Sequence, residues 1–469
     1  MPRLFLSSST DPFPPAPNAG RTLRPHRRAA LVAGAAAGLG LNLAQWNALK
    51  AKGPESSGTA KSVILVWLWG GPAHTDLFDP KPNAPLQFRG PFDPIATKLP
   101  GIRYTELLPR LAERNDQYAL VRSLHTFHND HGVAGTIGLT GSIDGAVSLG
   151  GPANQSTAKP ALGSLVSRAS AVESALPGYL VVGGRLHQGH KVITGEAAAH
   201  LGPRHDPFRV EYKGGNQVQI PALAVDPTLV SGRMEDRDGL RKSLDGLARA
   251  ADSFAAGPSH PKLDTHRQRA LSLLTSATSR RAFDLAQEKQ DLRQNYGLNR
   301  FGQSCLLARR LVEAGIPFVQ VNWSDHVEAE EDAGDGGWDL HYRNFQILQD
   351  RLAPCFDQGF AALLDDLRLR GLLSSTLVIA VGEFGRSPKI NDKAGRDHWE
   401  HCYGAFMAGG GIKPGFVLGS SDATGGHPRD QACTPGDLCA TVLQALGVQS
   451  EQAATLGIQL PGKPIDLLF

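Results

Sequence analysis

The 469-residue chain is long enough for one large core or two smaller ones. With 41% hydrophobic and 20% charged residues, its composition is globular rather than disordered or fibrous. The formal charge of +3 misleads: residues 1–52 hold seven basic residues against one acid, which leaves 41 basic and 44 acidic residues, net −3, in the remainder. That balance excludes the basic footprint of a nucleic-acid binder.

The leader reads as an export signal. Arg24-Pro25-His26-Arg27-Arg28 precedes an Ala/Gly/Leu run from Ala29 to Leu43, the order of a basic n-region and a short apolar h-region. The run falls short of the ~20 strongly apolar residues that a stable transmembrane segment needs. An Arg-Arg pair before a weakly apolar run resembles a twin-arginine signal, the address read by the Tat export machinery for proteins exported already folded. Ala29-Ala30-Leu31 departs from the usual x-Phe-Leu. The expectation is a leader over 1–52, a single domain over 53–469, and a periplasmic or otherwise extracytoplasmic location. The alternative is a disordered basic tail on a cytosolic protein. Five scattered cysteines with no Cys-x-x-Cys argue against a structural zinc site.

In chain order, Ser62 to Trp69 is a buried strand that empties into Gly70-Gly71-Pro72, with His74, Asp76 and Asp79 just beyond. Asp79 before Pro80 reads as a turn former bonded to its own backbone, and Asp76 as the better ligand. Residues 83–105 are loop, Glu106 to Asp116 a short helix, and Tyr118 to Leu124 a second strand. His125, His128 and His131, with Asn129 and Asp130, then form a loop feeding a helix N-terminus, where backbone N–H groups favour anions. Leu162 to Ser170 is helical and Gly178 to Gly183 a strand. Residues 184–258 read as an irregular insertion, and Pro261 to Gly315 as mostly helical.

Ile316 to Trp323 is another buried strand. It is followed by an acidic run, Glu328 to Asp335, which reads as solvated loop, and then by Trp338-Asp339-Leu340-His341. In an extended segment Asp339 and His341 share a face and can grip one cation. Tyr342 to Arg370 is helical with a break at Pro354. Thr376 to Val381 is a β-branched strand, and it opens onto Gly382-Glu383-Phe384-Gly385-Arg386 and Asp397-His398-Trp399-Glu400-His401. Ligands of open parallel sheets sit at strand carboxyl ends, so this is where chemistry is expected. Tyr403 to Gly409 is a last strand, and Thr434-Pro435 starts a helix as N-cap and first residue.

Standard signatures fail: there is no Gly-x-Ser-x-Gly, no Walker A loop and no His-Glu-x-x-His. What remains is a constellation of Asp76, the 125–131 cluster, Asp339, His341, Glu383, Asp397, His398 and His401. Mixed carboxylate and imidazole groups suit zinc, manganese or iron, and carboxylate-rich sites shift the balance towards manganese, calcium or magnesium. Arg386 suits an oxyanion. The bland reading of the same residues is an ion pair between Glu383 and Arg386, with His398 a satisfied core histidine.

Taken in order, Gly70-Gly71-Pro72, Asp76, Phe78-Asp79-Pro80, Gly337-Trp338-Asp339-x-His341, Gly382-Glu383-Phe384-Gly385-Arg386 and Gly395-Arg396-Asp397-His398-Trp399 resemble the DUF1501 family of exported bacterial proteins, abundant in planctomycetes. That family is similar to the alkaline-phosphatase/sulfatase superfamily. The resemblance implies an α/β three-layer sandwich with a mostly parallel central sheet flanked by helices, and a divalent-metal site at the strand ends. It implies Asp76 at the first metal position, Asp339 and His341 as a ligand pair, and Asp397 or His398 as the late-chain metal ligand, with Glu383 still able to bind metal. Two departures stand out. Glu383-Phe384-Gly385 occupies the place of the superfamily's Asp-His-Gly, and Phe binds no metal. His131 and Gly132 stand near the nucleophile's place, so that His131 with Asp130, or a metal hydroxide, would act directly, with Arg386 beside them. The implied function is hydrolysis of a sulfate or phosphate ester, small-molecule or glycan. The alternative is a non-catalytic envelope protein of the same fold that binds a glycan or protein partner.

Overall fold

Six runs legible as buried strands form the middle of one nine-stranded sheet in the computed structural model, which describes residues 59–148, 157–170, 176–219, 281–327 and 336–469. In chain order the strands are β1 (Ser62–Trp67), β2 (Ala119–Leu124), β3 (Leu180–Val182), β4 (Phe208–Tyr212), β5 (Val218–Gln219), β6 (Phe318–Asn322), β7 (Thr376–Val381), β8 (Tyr403–Ala408) and β9 (Val417–Leu418). Across the sheet they run β9-β2-β8-β7-β1-β6-β3-β4-β5. β1 is parallel to both neighbours, with Val63 opposite Phe318 of β6 and Leu377 of β7. β8 runs antiparallel to β7 and to β2, which restores β2 to the direction of β1. The carboxyl ends of β1, β2, β6 and β7 therefore meet at one edge.

Helices cover both faces: α1 (His131–Thr140), α2 (Leu162–Ala169), α3 (Arg300–Glu313), α4 (Ala353–Leu369) and α5 (Pro435–Ala445). The two-residue alternation of a strand assigns the layers. Ile64 and Val66 of β1 and Val378 and Ala380 of β7 join a cluster with Leu307 of α3 and Phe360 of α4. Val63, Leu65 and Trp67, with Leu377 and Ile379, join Leu165 of α2 and Leu443 of α5 on the other side. A strand with helices on both faces must be apolar throughout, and all six residues of β1 and of β7 are buried. This is the expected three-layer, mostly parallel arrangement. Ser57–Phe469 make one unit, and the description is of that unit.

Local expectations are met unevenly. α5 begins as the sequence reads, with Thr434 and Asp437 forming a reciprocal capping box and Pro435 in the first turn. Only Pro109–Ala112 of the 106–116 helix is helical. His131 is the first residue of α1 rather than part of a loop before it. The helical run from Asn344 to Leu369 is interrupted where expected: a π-turn over Leu348–Leu352 comes just before Pro354, which sits in the first turn of α4. β4 and β5 lie within the stretch read as irregular, and β9 was unread; they are short, with only partly buried patterns that give periodicity little to detect. All five cysteines are free thiols. The leader over 1–52, residues 220–258 of the insertion and the acidic run 328–335 lie outside the described residues. Among those described, no helix is long and apolar enough to cross a membrane.

Candidate metal centre

The centre is built on the Gly70-Gly71 turn that ends β1. Gly70 has φ +110° and Gly71 φ +79°, conformations that disfavour any side chain. A Cβ at Gly70 would also lie 2.5 Å from Trp338 N and collide with Asp339 N. The turn thus lets the 338–339 backbone pass directly against it, held by the bond from Trp338 N to Trp69 O at 2.8 Å. On its other side Gly70 N–H reaches the Glu383 carboxylate, 2.9 Å from Oε1 and 3.2 Å from Oε2. The strand pair Gly385–Arg386 and His398–Trp399 sets Arg386 opposite His398.

His131, Asp339 and His398 converge. One ligand atom from each lies within 4.8 Å of the other two. His131 Nδ1 is 2.6 Å from Glu383 Oε1, and its Nε2 is 3.3 Å from Asp339 Oδ2. Asp339 Oδ1 accepts from Arg386 and lies 3.1 Å from His398 Nε2. His398 Nδ1 donates to Asn129 O at 2.7 Å, which leaves Nε2 facing the centre. His131 Nε2 is buried and has no hydrogen bond of acceptable geometry. A buried imidazole nitrogen whose one polar neighbour is a poorly aligned carboxylate at 3.3 Å, with a second imidazole converging on the same point, is what a bound cation would satisfy, so the donor set fits a metal.

The electrostatics divide the histidines. Burial disfavours the charge on His131, but Asp339 and Glu383 outweigh it and raise its pKa to about 9. Burial pushes His398 down to about 4. Burial also opposes the charge on Asp339, yet Arg386 and His131 hold its carboxyl well below the usual range. Phe384 packs on both imidazoles, with centroids 4.8 Å from His131 and 4.7 Å from His398. It forms an apolar floor beneath both rings, in keeping with a residue that binds no metal.

The other expected residues have distinct places. His341 Nε2 is 3.1 Å from Asp339 Oδ1 and 2.9 Å from His398 Nε2, and its Nδ1 is 3.1 Å from Asp397 Oδ1. With side-chain exposures of 38% and 61%, His341 and Asp397 form the outer lip. Asp76 is not brought to the centre: the Arg396 guanidinium grips both its oxygens, and Asn344 Nδ2 donates to Oδ2 at 2.8 Å. Asp130 caps α1, accepting from Val133 N at 3.1 Å, and receives the Ser148 hydroxyl. Arg386 is buried, with its donors directed to Gly70 O, Gly71 O, Arg396 O and Asp339; that occupancy leaves it holding the turn rather than awaiting an oxyanion. Asp79 pairs with Lys81, Arg122 and Ser421, not with its own backbone. His401 stacks on His427 at 5.0 Å and is outside the trio.

Reading the sequence missed Arg396 and Asn344, the partners of Asp76. The available signal was a second arginine, one residue before Asp397, since a buried aspartate requires such a partner.

A family model described as a protein of unknown function, DUF1501, matches residues 60–464. The chain belongs to the DUF1501 family. No curated protein matches it. Among solved structures, this DUF1501 chain is similar to the PsFucS1 sulfatase from Pseudoalteromonas sp. (11% identity, 94% of this chain and 75% of that chain, TM-score 0.38). It is similar to the phosphonate monoester hydrolase SpPMH from Silicibacter pomeroyi (12%, 87% and 76%, 0.38). It is also similar to an alkaline phosphatase from the Antarctic bacterium TAB5 (13%, 83% and 99%, 0.34).

Proposed function

We propose that this DUF1501 protein is a metal-dependent hydrolase of sulfate or phosphate esters, exported by the twin-arginine route and acting on a small-molecule or glycan ester. The observation that carries the reading is the convergence of His131, Asp339 and His398 at the common edge of the sheet. Two imidazoles and one carboxylate suit zinc, manganese or iron better than calcium, which prefers all-oxygen sites.

When bound, such an ion supplies Lewis-acid chemistry toward an ester oxygen and an attacking water. The chain's own residues orient the centre. Arg386 fixes Asp339 through its guanidinium and ties it to the carbonyls of the Gly70-Gly71 turn. Phe384 keeps water from the inner face of both imidazoles. His341, on the open side with Asp397 at its Nδ1, is placed to hold or pass a proton at Nε2.

Metal analysis of purified protein, followed by a screen of aryl sulfates and aryl phosphates with the metal-loaded chain, tests the reading. Metal uptake with turnover of either ester class is expected; a chain that takes up no metal, or a metal-loaded chain inactive on both classes, overturns it.

A second reading, a non-catalytic envelope protein binding a glycan or protein partner, is favoured by one observation. α1 starts with His131-Gly132, and the first hydroxyl along it, Thr136 Oγ1, donates to Gly132 O at 2.7 Å, so no side-chain hydroxyl nucleophile stands at that helix start. Partner binding that survives Asp339→Ala and His398→Ala, in a parent without turnover, selects this reading.

A further inference from the structure

A carboxylate removed from water costs several kcal/mol unless hydrogen bonds or a cation replace its solvent, and Glu383 is 0% exposed. Its replacements are Gly70 N–H and His131 Nδ1. No lysine or arginine forms an ion pair with it among the described residues. An ionised carboxylate only accepts, so at 2.6 Å the proton of that contact sits on Nδ1. Nε2 then faces Asp339 Oδ2 from the far side of the ring. The imidazole therefore stands between Glu383 and the point where the three ligand atoms converge, and Glu383 is not a member of that group.

Three neighbouring rings confine the imidazole, His398 nearest at 4.3 Å. Phe384 lies 4.8 Å from it on one side, and Trp69 meets it edge-on at 5.5 Å. What packing leaves open is a half-turn about the Cβ–Cγ bond, which would point a ring C–H at Glu383. The carboxylate decides between those two orientations. Its own position is set by Gly382, where a Cβ would lie 2.7 Å from Pro72 Cδ and 2.9 Å from Leu68 O, so that the chain leaves β7 tightly against the Gly70 turn.

We propose that Glu383 is a positioning residue and not a ligand: it keeps the proton on His131 Nδ1, so that Nε2 is the nitrogen presented to a cation shared with Asp339 and His398. This rests on the reading that the centre takes a metal. A carboxylate behind a ligating histidine fixes its tautomer and raises its basicity, and losing one costs about 10–100-fold in metal affinity.

The test uses Zn2+ and the full-length chain. In zinc-soaked crystals, the anomalous peak is expected on His131 Nε2, with Glu383 still on Nδ1; a Glu383 oxygen directly on the zinc overturns the proposal. In solution, Zn2+ affinity is read by competition with a chromogenic chelator. Glu383→Gln, which keeps an acceptor for Nδ1 but not the charge, is expected to lose about 10-fold, and Glu383→Ala about 100-fold. Wild-type affinity in the folded fraction of both, with only metal-free thermal stability lowered, marks a purely structural role and overturns it. Should Glu383→Ala fail to fold, Glu383→Gln and the wild-type zinc structure decide. Wild-type protein that takes up no Zn2+ overturns the metal reading and this proposal together, whereas Zn2+ uptake indifferent to Glu383 overturns this proposal alone.

Discussion

Asp76 and Arg396 are locked face to face, Oδ2 to Nε at 2.6 Å and Oδ1 to Nη2 at 2.7 Å, with neither side chain exposed to solvent. Removing one member of a buried pair leaves an uncompensated charge at a cost of about 3–5 kcal/mol. Asp76→Ala should therefore lower stability by that amount in urea denaturation while leaving the metal content per folded chain unchanged. A stable variant that no longer takes up metal would return Asp76 to the ligand set.

His398→Ala removes a ligand from a neutral, largely buried position, whereas Asp339→Ala also strands buried Arg386. Both should lose turnover by more than about 100-fold, beyond the range of substitutions behind a ligand. Only Asp339→Ala should also lose about 3 kcal/mol of stability. Equal stabilities would mean that the Gly70 and Gly71 carbonyls suffice for Arg386.

The Gly70 turn admits a sharp comparison. Gly101 has φ +80° with open space around its Cβ direction, while Gly70 combines φ +110° with collision against the 338–339 backbone. Gly101→Ala should cost about 1 kcal/mol of strain. Gly70→Ala should cost more than about 2 kcal/mol and abolish metal uptake. Equal effects in the two variants would show that the turn does not position Asp339.

Acid should weaken the fold through His74. Its Nε2 is 2.9 Å from Gly425 O, and burial, opposed by Asp79, lowers its pKa to about 4. Above about pH 6.5 the imidazole is neutral in both folded and unfolded chains. Below that the unfolded chain takes up the proton first, so stability falls between pH 6.5 and 4, by about 3 kcal/mol in all. Denaturation midpoints across this window should fall less steeply in His74→Gln; identical slopes would remove His74 from the account.

The export reading has its own check. A reporter fused behind residues 1–52 should leave the cytoplasm, and replacing Arg27 and Arg28 by lysine should retain it inside. Export indifferent to the pair would point to another route.

The sheet was legible because strands covered on both faces must be apolar along their whole length, and that signal survives without knowledge of neighbours. β1 shows it from Val63 to Trp67 and β7 from Leu377 to Val381. The strands that escaped, β4, β5 and β9, lie near the sheet edges, where partial exposure dilutes it. The site was legible at the level of segments: Asp339, His398 and His131 do meet. The division of labour among charged groups was not. Whether an aspartate grips a metal or an arginine depends on partners hundreds of positions away, as the bond between Asp76 and Arg396 shows. Likewise Asp130 bore the mark of a catalytic partner to His131 and the equal mark of a helix cap, and spacing alone does not separate the two.

The place of β1 has a consequence for how the chain comes into being. Its two edges are covered by β6 and β7, so Val63 has no strand partner until Phe318 and Leu377 have been synthesised. For most of translation the nascent protein carries an apolar strand with both edges bare, a template for association with other chains. A fragment ending before β7 should aggregate instead of yielding a soluble half-domain, and the intact chain should fold slowly, after release from the ribosome.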